Sequence, residues 1–413
     1  MKIVLTNPPW DGVRAGSRWP SKCEFRGYMP YPMDLASGCA SLRAAGHDAI
    51  LIDATALRIR TANVPDFVKR LAAIKPDLII QELSTPSIED DKPIAESLAR
   101  IAPVAVSGPH ATTFAHRMLD DWPFLHATLQ GEIELNSKRL AETMERRVYP
   151  YESSKNLDDY PDQMIQNAYL YRDVPGPNGG VTWQTRASRG CPWRCSFCVE
   201  PWQHTGKPSY RVRSADRVVA ECAEAHRLFP SLDGVYLDDP TTNVRDDHCR
   251  LLADGFAAHS LPWSMMARAD CLTLETWTYC LDRGLFYVKF GLESANQKLV
   301  DDCGKKLDIG RVRDTVLFLK QRLPPRNVHC TVMYGLPGET KETVRETLQF
   351  MHGLGVHFQE SYCAPTPGTG YWNNEVTRGL FPVEELAMAG QLAPGKPEVS
   401  EWVKEVKGEL CVN

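Results

Sequence analysis

Val181-Thr182-Trp183-Gln184-Thr185-Arg186-Ala187-Ser188-Arg189-Gly190-Cys191-Pro192-Trp193-Arg194-Cys195-Ser196-Phe197-Cys198 reads as a short strand that runs into a cysteine loop. The spacing is C-x3-C-x2-C, and Arg189-Gly190 opens the turn. Three thiolates on one loop can hold three irons of a 4Fe-4S cubane and leave the fourth iron open to an outside ligand, whereas ferredoxin-type clusters use four cysteines. The competing readings are a zinc site, for which no fourth Cys or His lies at the usual short spacing, and chance clustering in a cysteine-rich chain. The spacing favours a cluster with an open iron.

On the C-terminal side of the loop, strand and helix alternate. A helix is expected from Ser214, its N-cap, to about Phe229. Strands are expected at 234–237, 263–267, 286–290, 328–333 and 358–362. With 181–187 these make six strand-helix units over 181–375, a partial (β/α)6 barrel whose chemistry belongs at the carboxyl ends of its strands. On the N-terminal side, 1–145 alternates apolar runs with amphipathic stretches, the pattern of a doubly wound parallel sheet. Its strand ends carry Asn7-Pro8-Pro9-Trp10, Glu82-Leu83-Ser84-Thr85, Gly108-Pro109-His110-Ala111 and Gly131-Glu132, where such sheets bind ligands. The stretch 146–180 loses periodicity, collects Pro, Tyr, Asp and Asn, and reads as a linker. The stretch 376–413, with Pro382, Pro394 and Pro397, reads as a short cap or tail. The fold class is α/β.

Composition narrows the function. At 413 residues, 43% hydrophobic and 24% charged, the chain is of ordinary globular make-up and long enough for two domains. A net charge of -5 without a basic run argues against nucleic acid, which needs clustered Lys and Arg. The first apolar run breaks at Asn7, too short for a signal core, and no stretch approaches the roughly 18 apolar residues of a membrane span. A cytoplasmic location is the expectation. In that reducing compartment thirteen cysteines bear on metal binding rather than disulfides. A small-molecule or natural-product substrate is expected; oligomeric state is left open.

The cysteine loop, with Phe197 at the aromatic position of C-x3-C-x-aromatic-C, resembles that of the radical S-adenosylmethionine (SAM) superfamily. Leu237-Asp238-Asp239-Pro240, Ala267-Arg268-Ala269-Asp270, Gly291-Leu292-Glu293-Ser294 and Gly335-Leu336-Pro337-Gly338-Glu339-Thr340 follow at successive strand ends. The resemblance implies that Cys191, Cys195 and Cys198 hold the cluster and that methionine chelates the open iron. It further implies that Asp238 or Asp239 holds the ammonium, Arg268 the carboxylate, and Glu293 the amino group or ribose. Asp270 belongs to the same strand end, and Gly335 and Gly338 are expected to let backbone approach the adenosine. Such enzymes take electrons from an external donor of flavodoxin or ferredoxin type. The alternative roles are a helix-start carboxylate for Asp239 and a surface ion pair for Arg268.

The first 145 residues resemble the cobalamin-binding subclass of that superfamily through Asn7, Pro8, Trp10, Ser84, Thr85, Gly108, Pro109, His110, Gly131 and Glu132. The resemblance places a corrin between the sheet edge and the barrel mouth. The D-x-H-x-x-G motif that supplies a cobalt ligand elsewhere is absent: Asp246-Asp247-His248 continues to Leu251 without glycine and lies in the barrel. Ile133 stands where a second glycine is usual, and His110 is not expected to ligate cobalt. A first domain that has lost its cobalamin is the alternative. The other cysteines fall at intervals too irregular for a second cluster and read as small buried hydrophobes. The function implied is methylation of an unactivated carbon, by a 5'-deoxyadenosyl radical and methylcobalamin. Radical rearrangement or cyclisation without methyl transfer, and a cofactor-binding sensor, are the alternatives.

Overall fold

The apolar runs of the sequence become two parallel sheets in the computed structural model, which describes residues 1–11, 13–15, 19–23, 31–163, 180–374, 379, 388–389 and 396–411. The first domain contains β1 (Lys2–Asn7), the small antiparallel pair β2 (Val13–Ala15) and β3 (Trp19–Cys23), then β4 (Asp48–Asp53), β5 (Leu78–Glu82), β6 (Val104–Ser107), β7 (Leu125–Gly131) and β8 (Arg147–Glu152). The main sheet runs β4-β1-β5-β6-β7-β8 and every pairing is parallel.

Alternation along the strands divides its core. Ile3, Leu5, Leu78 and Ile80 face the helices Met33–Ala44 and Ile133–Thr143, while Val4, Ile79, Val104 and Val106 face Val64–Ile74, Ile88–Leu98 and Pro109–Asp121. Burial on both faces is why β5 and β6 read as unbroken apolar runs. β8 lies inside the stretch expected to be linker. It is an edge strand that carries Pro150 and a largely polar surface, which hides its period in the sequence. The rest of that stretch from 164 to 179, with Pro175, Pro177 and Asn178, lies outside the described residues, as do Pro382 and Pro394.

The second sheet runs β9 (Thr182–Thr185), β12 (Gly234–Leu237), β13 (Trp263–Ala267), β14 (Leu285–Glu293), β15 (Val328–Tyr334) and β16 (His357–Tyr362), all parallel and in chain order. No pairing joins β9 to β16 among the described residues, so the sheet is an open six-stranded barrel. The helix Val399–Cys411 packs Val399, Val403 and Val406 into the barrel's outer core, and Lys341 reaches Glu405 at 2.7 Å.

The strand of the opening quotation is two pieces. After Thr185 the chain leaves the barrel, and β10 (Ser188–Gly190) pairs antiparallel with β11 (Tyr210–Val212). Everything from Cys191 to Ser209 is the excursion between them. Gly190 sits at φ +75°, and a Cβ there would fall 2.1 Å from the Ser209 carbonyl oxygen. Gly190→Ala is therefore expected to pry this pair apart at a cost of about 1–3 kcal/mol. Hydrogen exchange should speed up at the Arg211 amide within the pair and at the Arg213 amide, which donates to the Ala187 carbonyl beside it, and stay unchanged across β5 and β6.

Candidate active site

The cysteine loop is fastened to the barrel by backbone. Ser196 N–H donates to the Cys303 carbonyl at 2.7 Å, and Tyr371 N–H donates to the Ser196 carbonyl at 2.6 Å. Gly304 lies so close to the Arg194 carbonyl that a Cβ would stand 2.7 Å from it. Cys191, Cys195 and Cys198 are each partly exposed. Burial pushes all three thiols up, and the neighbouring thiols push Cys191 and Cys198 up further, so the three sulfurs share one field. Lys305 and Arg268 oppose the rise at Cys195.

Among the described residues no three His, Cys, Asp or Glu side chains converge as a single metal ion requires. A cubane takes each thiolate on a different iron, which sets the sulfurs apart by the width of the cluster. The three-thiol donor set on a glycine-opened loop fits such a cluster, and a cluster at this place would convert the mutual repulsion of three thiolates into ligation.

Around the loop, several expected residues are held by other groups. Asp239 is fully buried; it accepts from Ser188 N–H at 2.6 Å, Ser188 Oγ at 2.9 Å and Thr242 Oγ1 at 2.8 Å. It fastens β10 rather than presenting itself to an ammonium group. Asp238 follows β12, where alternation with outward-facing Leu237 turns it into the barrel mouth. Arg268 also departs from its expected role. Its Nε donates to Asp270 at 2.6 Å, its Nη1 to the Lys305 carbonyl at 2.6 Å and its Nη2 to the Lys306 carbonyl at 2.5 Å, while its Cζ lies 4.3 Å from the centre of the Trp193 ring. The guanidinium braces the cysteine loop against the 303–306 segment, so in this arrangement its fork is spent before a methionine carboxylate arrives.

Glu293 has the left-handed φ of +69°, which a side chain rarely adopts without a functional or packing cause. Its carboxylate meets Lys305 Nζ at 3.2 Å, and both side chains are about nine-tenths buried. Phe197 packs with Leu336, Cys363, Tyr371 and Met333, which ties the cysteine loop to the 335–340 turn. Gly335 and Gly338 have φ of +92° and +88°, and Glu339 accepts from Gly335 N–H to close the turn. The backbone conformation is thus what demands glycine there. Lys305 and Tyr371 join the site although sequence reasoning gives them no role, and Trp193, expected to wall the site or anchor the loop, lies against Arg268; the pair Lys305-Lys306 after Gly304 is the available signal.

Toward the first domain, a narrow cleft of about 30 Å³ is lined by Asp34, Glu82, Ser107, Gly131, Gln203 and His204, among others. It lies at the carboxyl edge of the first sheet, beside the cysteine excursion. The hydroxyl, amide, imidazole and carboxylate groups of its lining match in chemistry the amide arms that rim a corrin. Gly108 and Pro109 stand at its wall. Asn7 donates to Asp53 at 3.1 Å, Ser84 and Ser87 share a hydrogen bond of 2.7 Å, and Pro8 and Trp10 are buried. Thr85 Oγ1 lies 3.0 Å from His110 Nδ1. His110 is fully buried against Phe114, so it presents no face to a cobalt in this cleft.

Glu132 and Gly131 serve the domain seam. A Cβ on Gly131 would meet the His204 carbonyl at 2.5 Å. Glu132, fully buried at its side chain, takes Arg211, Tyr160 and, at 3.3 Å, Arg189; Glu134 takes Arg189 and Ser37; Asp34 takes Arg186. Burial would push the Glu132 carboxyl up, but Arg189 and Arg211 hold it below its ordinary value. The expected corrin contact is therefore the hub of an interdomain ion network.

The fold and the loop define a class of protein: a cluster enzyme built as a doubly wound ligand-binding domain followed by an open parallel barrel. Residues 185–351 match the radical SAM superfamily model and residues 26–136 the B12 binding domain. The chain thus carries both a radical SAM domain and a B12-binding domain, the combination that marks the cobalamin-binding subclass. It is 25% identical over 408 residues to an uncharacterized methyltransferase of Pyrococcus horikoshii, covering 92% of this chain and 84% of that one. It is 24% identical over 374 residues to the hopanoid C-3 methylase of Methylococcus capsulatus, covering 83% and 68%. The fold is shared with the radical SAM methyltransferase TsrM of Kitasatospora setae, solved with cobalamin and a [4Fe-4S] cluster, at TM-score 0.69 and 16% identity over 92% of this chain and 78% of that one.

Two outcomes follow from this geometry. Glu132→Ala leaves the buried Arg211 guanidinium without its carboxylate, while Arg189 keeps Glu134, and should lower unfolding free energy by about 3 kcal/mol, read by denaturant titration. His110 has its pKa lowered to about 3 by burial. The unfolded chain, near 6.5, then binds the extra proton first, so stability is full above that pH and falls on acidification toward 3. From pH 6.5 to 5 this group alone should remove about 2 kcal/mol, and His110→Gln should flatten that part of the stability profile.

Proposed function

We propose that this protein is a cobalamin-dependent radical SAM enzyme that methylates an unactivated carbon of a small-molecule or natural-product substrate. The observation that carries the reading is the three-cysteine loop at the mouth of a parallel barrel, bordering a polar cleft at the carboxyl edge of a B12-type sheet. When bound, the cluster with SAM supplies a 5'-deoxyadenosyl radical, and cobalamin supplies the methyl group. Cys191, Cys195 and Cys198 hold the irons. The pair Lys305 and Glu293, next to Cys195, provides one cation and one carboxylate where a methionine's carboxylate and amino group would lie. Asp238 stands at the same mouth.

The domain seam orients the two cofactors, since Arg189 is one residue removed from Gly190 and two from Cys191. An external flavodoxin- or ferredoxin-type donor supplies the electron. No helix among the described residues is long and apolar enough to cross a membrane, and the free thiols suit a reducing cytoplasm. Domain limits of 1–145 and 181–375 remain the working division, with β8 added to the first.

Anaerobic reconstitution with iron, sulfide and cobalamin, followed by product counting under reductant, tests the reading. Methylation predicts both S-adenosylhomocysteine and 5'-deoxyadenosine; deoxyadenosine alone would contradict methyl transfer in favour of rearrangement or cyclisation. Cys191→Ala, Cys195→Ala and Cys198→Ala should each lose most of the bound iron, and unchanged iron content would contradict the cluster assignment.

A further inference from the structure

The inner wall of the barrel carries a row of nitrogen-bearing side chains. Register pairs Lys289 with His329, and His329 with His357, across β14, β15 and β16. Their chain neighbours Val288, Phe290, Val328 and Cys330 pack into the outer core, so the pleat turns Lys289 and His329 inward. The two imidazoles meet at 3.1 Å between their Nδ1 atoms, and Lys289 Nζ donates to Gln359 Oε1 at 3.1 Å. Beside the row, Tyr236, Met266 and Tyr287 form a separate apolar cluster, which makes this wall half polar and half apolar.

Two observations point to a ligand. His329 is only 9% exposed, and its Nε2 has no hydrogen-bond partner; such an orphaned buried group costs about 1–3 kcal/mol unless something answers it. Lys289, Gln359, Thr331 and Met333 are only partly buried although they lie on the interior of a barrel, and His357, the first residue of β16, is exposed, so the wall borders accessible space that opens to solvent at the His357 end. Burial first, then Lys289 and His357, push the His329 imidazole down to about 3. At neutral pH it is an uncharged donor or acceptor beside a lysine.

We propose that Lys289 and His329 inside the barrel, with His357 at its exposed rim, form a carboxylate-binding site that anchors the substrate by its head group. One lysine with imidazole N–H groups matches a single negative charge, while a phosphate dianion calls for a second fixed cation. This rests on the radical SAM reading and deepens it. Lys289 precedes Glu293 by four residues, about 13 Å along the strand. A molecule held at Lys289 therefore reaches the level of Glu293 and Lys305 with carbons remote from its carboxylate. Those carbons have no adjacent carbonyl to activate them and need a radical to react.

The test is calorimetric binding to the reconstituted holoenzyme, with decanoate, decanamide and inorganic phosphate as probes. Decanoate should bind at least about tenfold tighter than decanamide, as expected of a charge-assisted hydrogen bond. Lys289→Met should remove that preference and Lys289→Arg should retain most of it, with the thermal midpoints of both variants measured to separate binding loss from unfolding. Equal binding of decanoate and decanamide, or an unchanged preference in a folded Lys289→Met, would overturn the proposal. Phosphate binding tighter than decanoate at the same row would reassign the site and overturn the carboxylate. The measurement needs no turnover, so absence of deoxyadenosine would count against the enzyme reading instead.

Discussion

Three residues, Ser188 to Gly190, are gripped from both domains at once, and the placement of the cysteine loop depends on that grip. From the barrel, Asp239 takes the amide and hydroxyl of Ser188; from the first domain, Glu132 and Glu134 take Arg189; from across the pair, the Ser209 carbonyl leaves room only for glycine at 190. Each contact satisfies a buried polar group that would otherwise be costly. Cys191 begins where the grip ends. A shift of either domain would therefore be transmitted to the first cluster ligand.

The same constraint explains why several polar residues at the strand ends point away from the expected ligands. The position of the loop that carries three thiols is fixed by backbone hydrogen bonds, by the packing of Phe197 and by a guanidinium. Arg268 spans Asp270 and the carbonyls of Lys305 and Lys306 and lies over Trp193. That leaves Lys305 and the strained Glu293 as the charged pair closest in role to a ligand site. The strained φ at Glu293 persists because Lys305 and the β14 pairing hold the residue from either side.

The features legible in the sequence are those with short range. Cysteine spacing, strand-end tetrapeptides and the two patterns of apolar alternation led to two α/β domains, an open barrel and the three thiols on one loop. What escaped was non-local. Glu132 pairs with Arg211, seventy-nine positions away, and nothing in either neighbourhood announces the partner. Arg268 looked like a ligand for a carboxylate because its chemistry suits one, and only the fold brings the Lys305 and Lys306 carbonyls to it. β8 was missed because an edge strand with proline and charge does not show a strand's period. The Lys289, His329 and His357 row arises from the register of three strands, which no spacing along the chain reveals.

The central claim is a cluster with one iron open to SAM, and electron paramagnetic resonance of the reduced, reconstituted protein tests it most directly. The account predicts a [4Fe-4S]⁺ signal whose g-values change when SAM is added, because the open iron gains amino and carboxylate ligands. A cluster signal that SAM leaves unaltered would contradict it.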